Sequence, residues 1–149
     1  MPEPKTPAPL FELNRILREN RVADYRSPNL ALGMRPLQFA QGSSHWRWET
    51  QLKQTINPFG MLHGGYLAVF VDELLATAIG SVLENGEWAV TAELKLTYLR
   101  ALRPGRLEGR GRVIRRTRSI AFMDAEVSNA DGEAAVLASS TWAISGLKS

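Results

Sequence analysis

Residues 57–80 read NPFGMLHGGYLAVFVDELLATAIG. The stretch opens as a loop, passes through His63-Gly64-Gly65, and then runs apolar for about five helical turns. Only Asp72 and Glu73 carry charge beyond the glycines. Asn85-Gly86 stops the run, so the sequence predicts a helix from about Gly65 to Leu83. A helix apolar nearly all round has to be covered nearly all round. A carboxylate inside it needs a partner or a purpose, because burying one alone costs several kcal/mol.

Beyond the helix the hydrophobic period changes to two. In AVTAELKLTYL (89–99), Val90, Ala92, Leu94, Leu96 and Tyr98 alternate with Thr91, Glu93, Lys95 and Thr97. RLEGRGRVI (106–114) sets Leu107 and Val113 against Arg106, Glu108, Arg110 and Arg112. IAFMDAEVSN (120–129) and EAAVLASSTWAI (133–144) are two more strands, with Asp131-Gly132 as the hairpin turn between them. Before the helix, NLALGMRPLQFAQG (29–42) and SHWRWETQL (44–52) read as two strands, with Trp46 and Trp48 on one face of the second. LFELNRILREN (10–20) has helical spacing and reads as a short surface helix, and residues 1–9 as a disordered tail. The expected fold is α+β: one domain over residues 10–149, a curved antiparallel sheet wrapped around the central helix, its last four strands in meander.

The 149 residues are 44% hydrophobic and 22% charged, the composition of an ordinary globular domain. Without cysteine there is no thiol nucleophile, disulfide or Cys-based metal site. The first residues, MPEPKTPAPL, hold no apolar signal region, and two acids cut the longest apolar run. The expectation is a cytoplasmic protein with no membrane partner. Net charge is +3, yet eight arginines lie between Arg100 and Arg118. No aromatic residue is interleaved with them, which argues against nucleic acid. His45 and His63 have no ligand spacing, so no metal site is expected.

The pattern Asn57…His63-Gly64-Gly65…Asp72, followed by VTAELKLTYLRALRPG (90–105), resembles the hotdog-fold acyl-CoA thioesterases. The branch is the phenylacetate-pathway (PaaI-like) group, near the 4-hydroxybenzoyl-CoA thioesterases, and the likeness runs from about Leu32 to Ile144. It implies hydrolysis of an acyl-CoA to free acid and coenzyme A, with no cofactor beyond the coenzyme A of the substrate. It implies that the Gly64 backbone N–H polarises the thioester carbonyl, that Gly65 leaves the approach open, and that Asp72 is general base or nucleophile. Asn57 would hold the attacking water or the carbonyl, His63 would position the loop, and Thr91 would orient water near the carboxylate. Arg115, Arg116, Arg118 and Ser119, in the turn RRTRS, would bind the coenzyme A nucleotide. The resemblance also implies active sites at the interface of a homodimer, itself half of a dimer of dimers.

Spacing reaches the dimer by another route. Gly64 and Asp72 are eight residues apart, about 12 Å along one helix. They cannot both touch one carbonyl group, so if both act, one comes from a second chain, with the two central helices antiparallel. Glu73 lies about 100° around the helix from Asp72 and is expected to be solvated or paired at that interface. The alternative function is a non-catalytic acyl-CoA-binding or regulatory protein on the same fold.

Overall fold

The computed structural model describes residues 8–146. The elements are α1 (Ala8–Arg18), β1 (Met34–Ala40), β2 (Ser43–Glu49), α2 (Gly64–Gly80), β3 (Glu87–Tyr98), β4 (Arg106–Arg116), β5 (Ile120–Ser128) and β6 (Ala134–Gly146). The tail expected at 1–9 lies outside the described residues except for Ala8 and Pro9, with which α1 begins. The first expected strand is shorter than its apolar pattern. Pro28–Leu32 instead form a 3-10 turn, started by the Ser27 cap and ended by Gly33 at φ 90°.

One six-stranded antiparallel sheet wraps α2, in the order β1-β2-β4-β5-β6-β3. Four successive strands in meander are therefore not what forms. β4, β5 and β6 are a meander, but β3 pairs with β6 and lies at the far edge. Periodicity marks strands and their faces, and carries nothing about which strand lies next to which.

The helix is buried on most of its circumference, through Leu67, Phe70, Val71, Leu74, Leu75, Ala78 and Ile79 among others. Each large apolar side chain removed from water contributes about 1.5–3 kcal/mol. Trp46 and Trp48 share the inner face of β2, as their alternation predicts, and are fully buried. The Trp46 indole N–H donates to Thr77 at 3.0 Å, and Ser44 donates to the Leu74 carbonyl at 2.6 Å. The inward glycines of β4 set how closely helix and sheet approach. A Cβ on Gly111 would stand 3.0 Å from the Leu74 carbonyl oxygen, and one on Gly109 2.6 Å from a Leu74 methyl. The C-terminal carbonyls of the helix region are met by cations: Arg116 donates to Val82 and Arg18 to Leu83.

Two features position the site. The helix residues left partly open include Gly65, Ala68, Val69, Asp72 and Ala76, which fall on one stripe at helical spacing. Beside that stripe runs β3, whose outer edge is unpaired in the chain.

Candidate active site

Helix α2 starts with a cap. The Nδ1 of His63 accepts from the Gly65 N–H at 3.0 Å. The ring thereby satisfies one of the free donors of the first turn. The Gly64 carbonyl accepts from the Tyr98 hydroxyl at 2.7 Å. The Gly64–Gly65 peptide unit is therefore held at both polar ends, by side chains from the loop and from β3. Among the described residues the Gly64 N–H has no acceptor. It stands at the positive end of the helix, where developing negative charge is stabilised. Gly64 lines a cleft of about 590 Å³ with Asn57, Phe59, Met61, Leu67 and Tyr98.

Asp72 lies two turns further along, half-buried in the open stripe. The Thr91 hydroxyl donates to its Oδ1 at 2.5 Å. Strict alternation puts Thr91 on the face opposite Leu94 and Leu96. A β-bulge between Thr91 and Glu93 inserts one residue into β3 and resets the phase. Ala89 and Thr91 before the bulge, and Leu94, Leu96 and Tyr98 after it, all face the helix side. Burial raises the proton affinity of Asp72 above that of an ordinary aspartate; the Thr91 bond opposes this, and the charge of Glu73 adds to it.

Glu73 is neither solvated nor held for a second chain. It is 8% exposed, and its carboxylate accepts from the Tyr25 hydroxyl and the Asn29 amide, both at 2.6 Å. The 100° step from Asp72 turns it under the segment that leads into β1. Sequence spacing cannot show this, because both donors lie more than forty residues away.

Asn57 shapes its own loop. Its Oδ1 accepts from the N–H groups of Phe59 at 2.9 Å and Met61 at 3.1 Å. Its amide NH₂, with no acceptor among the described residues, is the donor left at the cleft.

The arginines of the RRTRS turn divide. Arg116 is committed inside the chain, to both oxygens of Glu87 at 2.6 and 2.7 Å and to the Val82 carbonyl. A phosphate at Arg116 would have to compete with these partners. Arg115 and Arg118 are exposed and have no ion-pair partner among the described residues. The carbonyl of Ser119 accepts from the Ile144 N–H at 2.8 Å, which closes the turn onto β6. Register sets the turn level with Thr91, the partner of Asp72: Thr91, Trp142, Ala121 and Arg116 form one row across β3, β6, β5 and β4. Three strand spacings make this about 14 Å. On the outer face Arg112 pairs with Asp124, and His45 and Arg47 with Glu108. A hollow of about 540 Å³ on this face is lined by His45, by the Arg112–Asp124 pair, and by Arg110 and Glu126.

One chain therefore gathers Asn57, His63, Gly64 and Tyr98 at the start of α2, joins Asp72 and Thr91 at its middle, and holds the arginine turn three strands further across the sheet. It does not bring Gly64 and Asp72 together. Tyr98 and the Glu73 clamp were not legible as site features. The only hint of Tyr98 is a hydroxyl on an apolar face, which needs a partner when covered. Among the described residues no group of three His, Cys, Asp or Glu side chains could hold a metal, and no helix is long and apolar enough to cross a membrane.

Residues 59–136 match the thioesterase superfamily. The chain belongs to that family. PA1618 of Pseudomonas aeruginosa, which carries an esterase name, is 32% identical over 92 residues, 61% of this chain and 63% of that protein. The chain thus matches less than two thirds of the length of that curated relative. The crystal structure of a mutant form of thioesterase PA1618 superposes with TM-score 0.75 at 28% identity, over 92% of this chain and 94% of the other. The phenylacetic acid degradation-related protein of Ralstonia eutropha JMP134 gives 0.76 at 28% identity, over 88% and 98%. A thioesterase protein of Streptococcus pneumoniae TIGR4, solved with coenzyme A, shares the fold at 0.70 and 23% identity, over 78% and 88%. The superfamily fold is the hotdog, and the sheet around α2 has its layout.

Proposed function

We propose that this chain hydrolyses acyl-CoA thioesters, and that each active site is built from two chains. The observation that carries the proposal is the separation of an unpaired Gly64 N–H from a half-buried Asp72 on one helix, with Asp72 in the middle of its uncovered stripe. A second α2 laid antiparallel on that stripe brings Gly64 of one chain to Asp72 of the other. The unpaired edge of β3 beside the stripe offers the two chains a continuous sheet.

The thioester carbonyl oxygen takes the Gly64 N–H, with the Asn57 amide as a second donor. Asp72 acts on the opposite side of the carbonyl carbon. As base it takes a proton from water, whose oxygen bonds to that carbon; the C–S bond then breaks and the thiolate of coenzyme A recovers a proton. As nucleophile it forms a mixed anhydride that water opens. Either route draws on water and protein groups alone, with no metal or organic cofactor. Arg115 and Arg118 pair with the phosphates of the nucleotide. That a solved member of this fold holds coenzyme A supports the substrate class. Ile114, Ile120 and Phe122, exposed on the outer sheet face, support a dimer of dimers.

A thiol-release assay over acetyl-, medium-chain, long-chain and aryl-acyl-CoAs, with and without EDTA, tests the proposal. Turnover of at least one class, unchanged by EDTA, is expected. Binding without turnover across the panel would favour the non-catalytic reading.

A further inference from the structure

Glu73 is the buried acid that this hydrolysis does not use. Its two carboxylate oxygens are met by Tyr25 and Asn29, each at 2.6 Å. Tyr25 is itself fixed, edge-on to Phe39 and Trp46 with ring centroids 5.4 and 5.5 Å away. Both donors are neutral. Burial first, and then the Glu73 charge, push the Tyr25 phenol far above its usual range, so it stays a donor. The clamp thus stabilises a charge without cancelling it, and no cation lies within ion-pair distance among the described residues.

The surroundings leave that charge unopposed. β1, β2, β4 and β5 turn apolar, glycine or hydroxyl positions to α2, Leu107, Gly109 and Gly111 among them, and β3 adds Thr91 and Tyr98. The other charged or titratable groups near the helix among the described residues are His63 and Tyr66 at its start, and the Arg116–Glu87 pair and Arg18 at its end. Of all these, Glu73 is the one adjacent to Asp72.

We propose that Glu73 is a positioning residue for Asp72: a fixed, uncancelled charge one residue along the helix, held by Tyr25 and Asn29, whose field favours proton uptake by the reactive carboxylate. The same field makes that carboxylate a better base and a better nucleophile, so the inference holds for either route. The raised proton affinity of Asp72, to which Glu73 contributes after burial, has the required direction. The inference rests on the reading of Asp72 as the reactive group.

The test is a ¹³C NMR titration of the Asp72 carboxyl in the full-length protein, beside the pH dependence of kcat/KM. Glu73→Gln removes the charge and keeps the shape. It should move the Asp72 midpoint and the acid limb of the profile down together, by about half a unit to one unit. Asn29→Lys places a cation on the same carboxylate and should move both in the same direction, so the test survives a poorly folded glutamine variant. A midpoint unmoved in a folded variant would overturn the inference and leave Glu73 a structural clamp. Failure of the reading on which this rests shows differently: an Asp72→Asn variant with full turnover would remove Asp72 as the reactive group, and no turnover by the wild type across the acyl-CoA panel would remove the hydrolase, whatever the midpoint does.

Discussion

The Thr91 hydroxyl stands 2.5 Å from Asp72 Oδ1, reaching from the edge strand to the one acid on the open stripe of α2. The bond holds the carboxylate in place and favours its charged form, against the burial that raises its proton affinity. Thr91→Val keeps the branched shape and removes the donor. The acid limb of the kcat/KM profile should then move to higher pH, with kcat down about three- to tenfold, the scale of one hydrogen bond. Thr91→Ser should restore both. A valine profile that coincides with wild type would make Thr91 an ordinary strand residue.

Asp72→Asn should separate activity from stability. Asp72 has a higher proton affinity in the fold than an ordinary aspartate, chiefly through burial. The stability given by its protonated form is therefore complete below the unfolded carboxylate value. It is lost as pH rises through the folded one. At neutral pH the ionised side chain opposes folding, and an amide does not. We expect kcat to fall by at least about a hundredfold. The melting temperature at pH 7 should rise, and the difference should close toward about pH 4. Scanning calorimetry across that range decides the sign.

Tyr98 holds the far end of the same machinery. Its hydroxyl bonds the Gly64 carbonyl, and burial keeps the phenol above its usual range and so a donor. Tyr98→Phe leaves the ring over Gly64 and frees the peptide unit. The expected result is a loss in kcat/KM of about three- to tenfold with little change in melting temperature, because the group is half exposed. A large fall in stability with unchanged kinetics would count against a role at the site.

The arginines of one turn should behave in opposite ways. Gln at Arg115 and Arg118 should raise KM, more steeply at low salt, and leave kcat intact. Arg116→Gln should leave KM alone and destabilise the fold by about 1–3 kcal/mol, between an exposed and a buried pair. Its partner Glu87 and the Val82 carbonyl would be left unmet. Urea unfolding and Michaelis curves on the same three variants read both effects. A KM raised by Arg116→Gln alone would reverse the assignment.

What the sequence carried was whatever depends on near neighbours. The long apolar run gave the central helix, and alternation gave the strands and put Trp46 and Trp48 inside. The eight-residue step from Gly64 to Asp72 raised the need for a second chain. What it did not carry depends on distant partners or on a change of phase. The bulge after Thr91 breaks the period of two on which the face of that residue was read. Glu73 looks exposed by helical angle alone, and its partners Tyr25 and Asn29 come from a segment whose apolar residues mimic a strand. Arg116 differs from Arg115 only in facing Glu87, which no local pattern records.

The two-chain site has its own decisive experiment. Asp72→Asn removes the carboxylate. Gly64→Leu blocks the donor, since even a Cβ there would stand 3.2 Å from the Tyr98 hydroxyl. Each homodimer should be inactive. When the two variants are mixed and allowed to exchange subunits, the heterodimer contains one site with both lesions and one with neither. A random mixture is half heterodimer, each with one working site of two. Thiol release should therefore return to about a quarter of the wild-type rate per chain, by the symmetry of a two-fold interface. If both groups acted within one chain, every site in the mixture would keep one lesion and no activity would return. Mass spectrometry of the mixed dimers shows that exchange has occurred, so an inactive mixture after exchange would place Gly64 and Asp72 outside a shared interface.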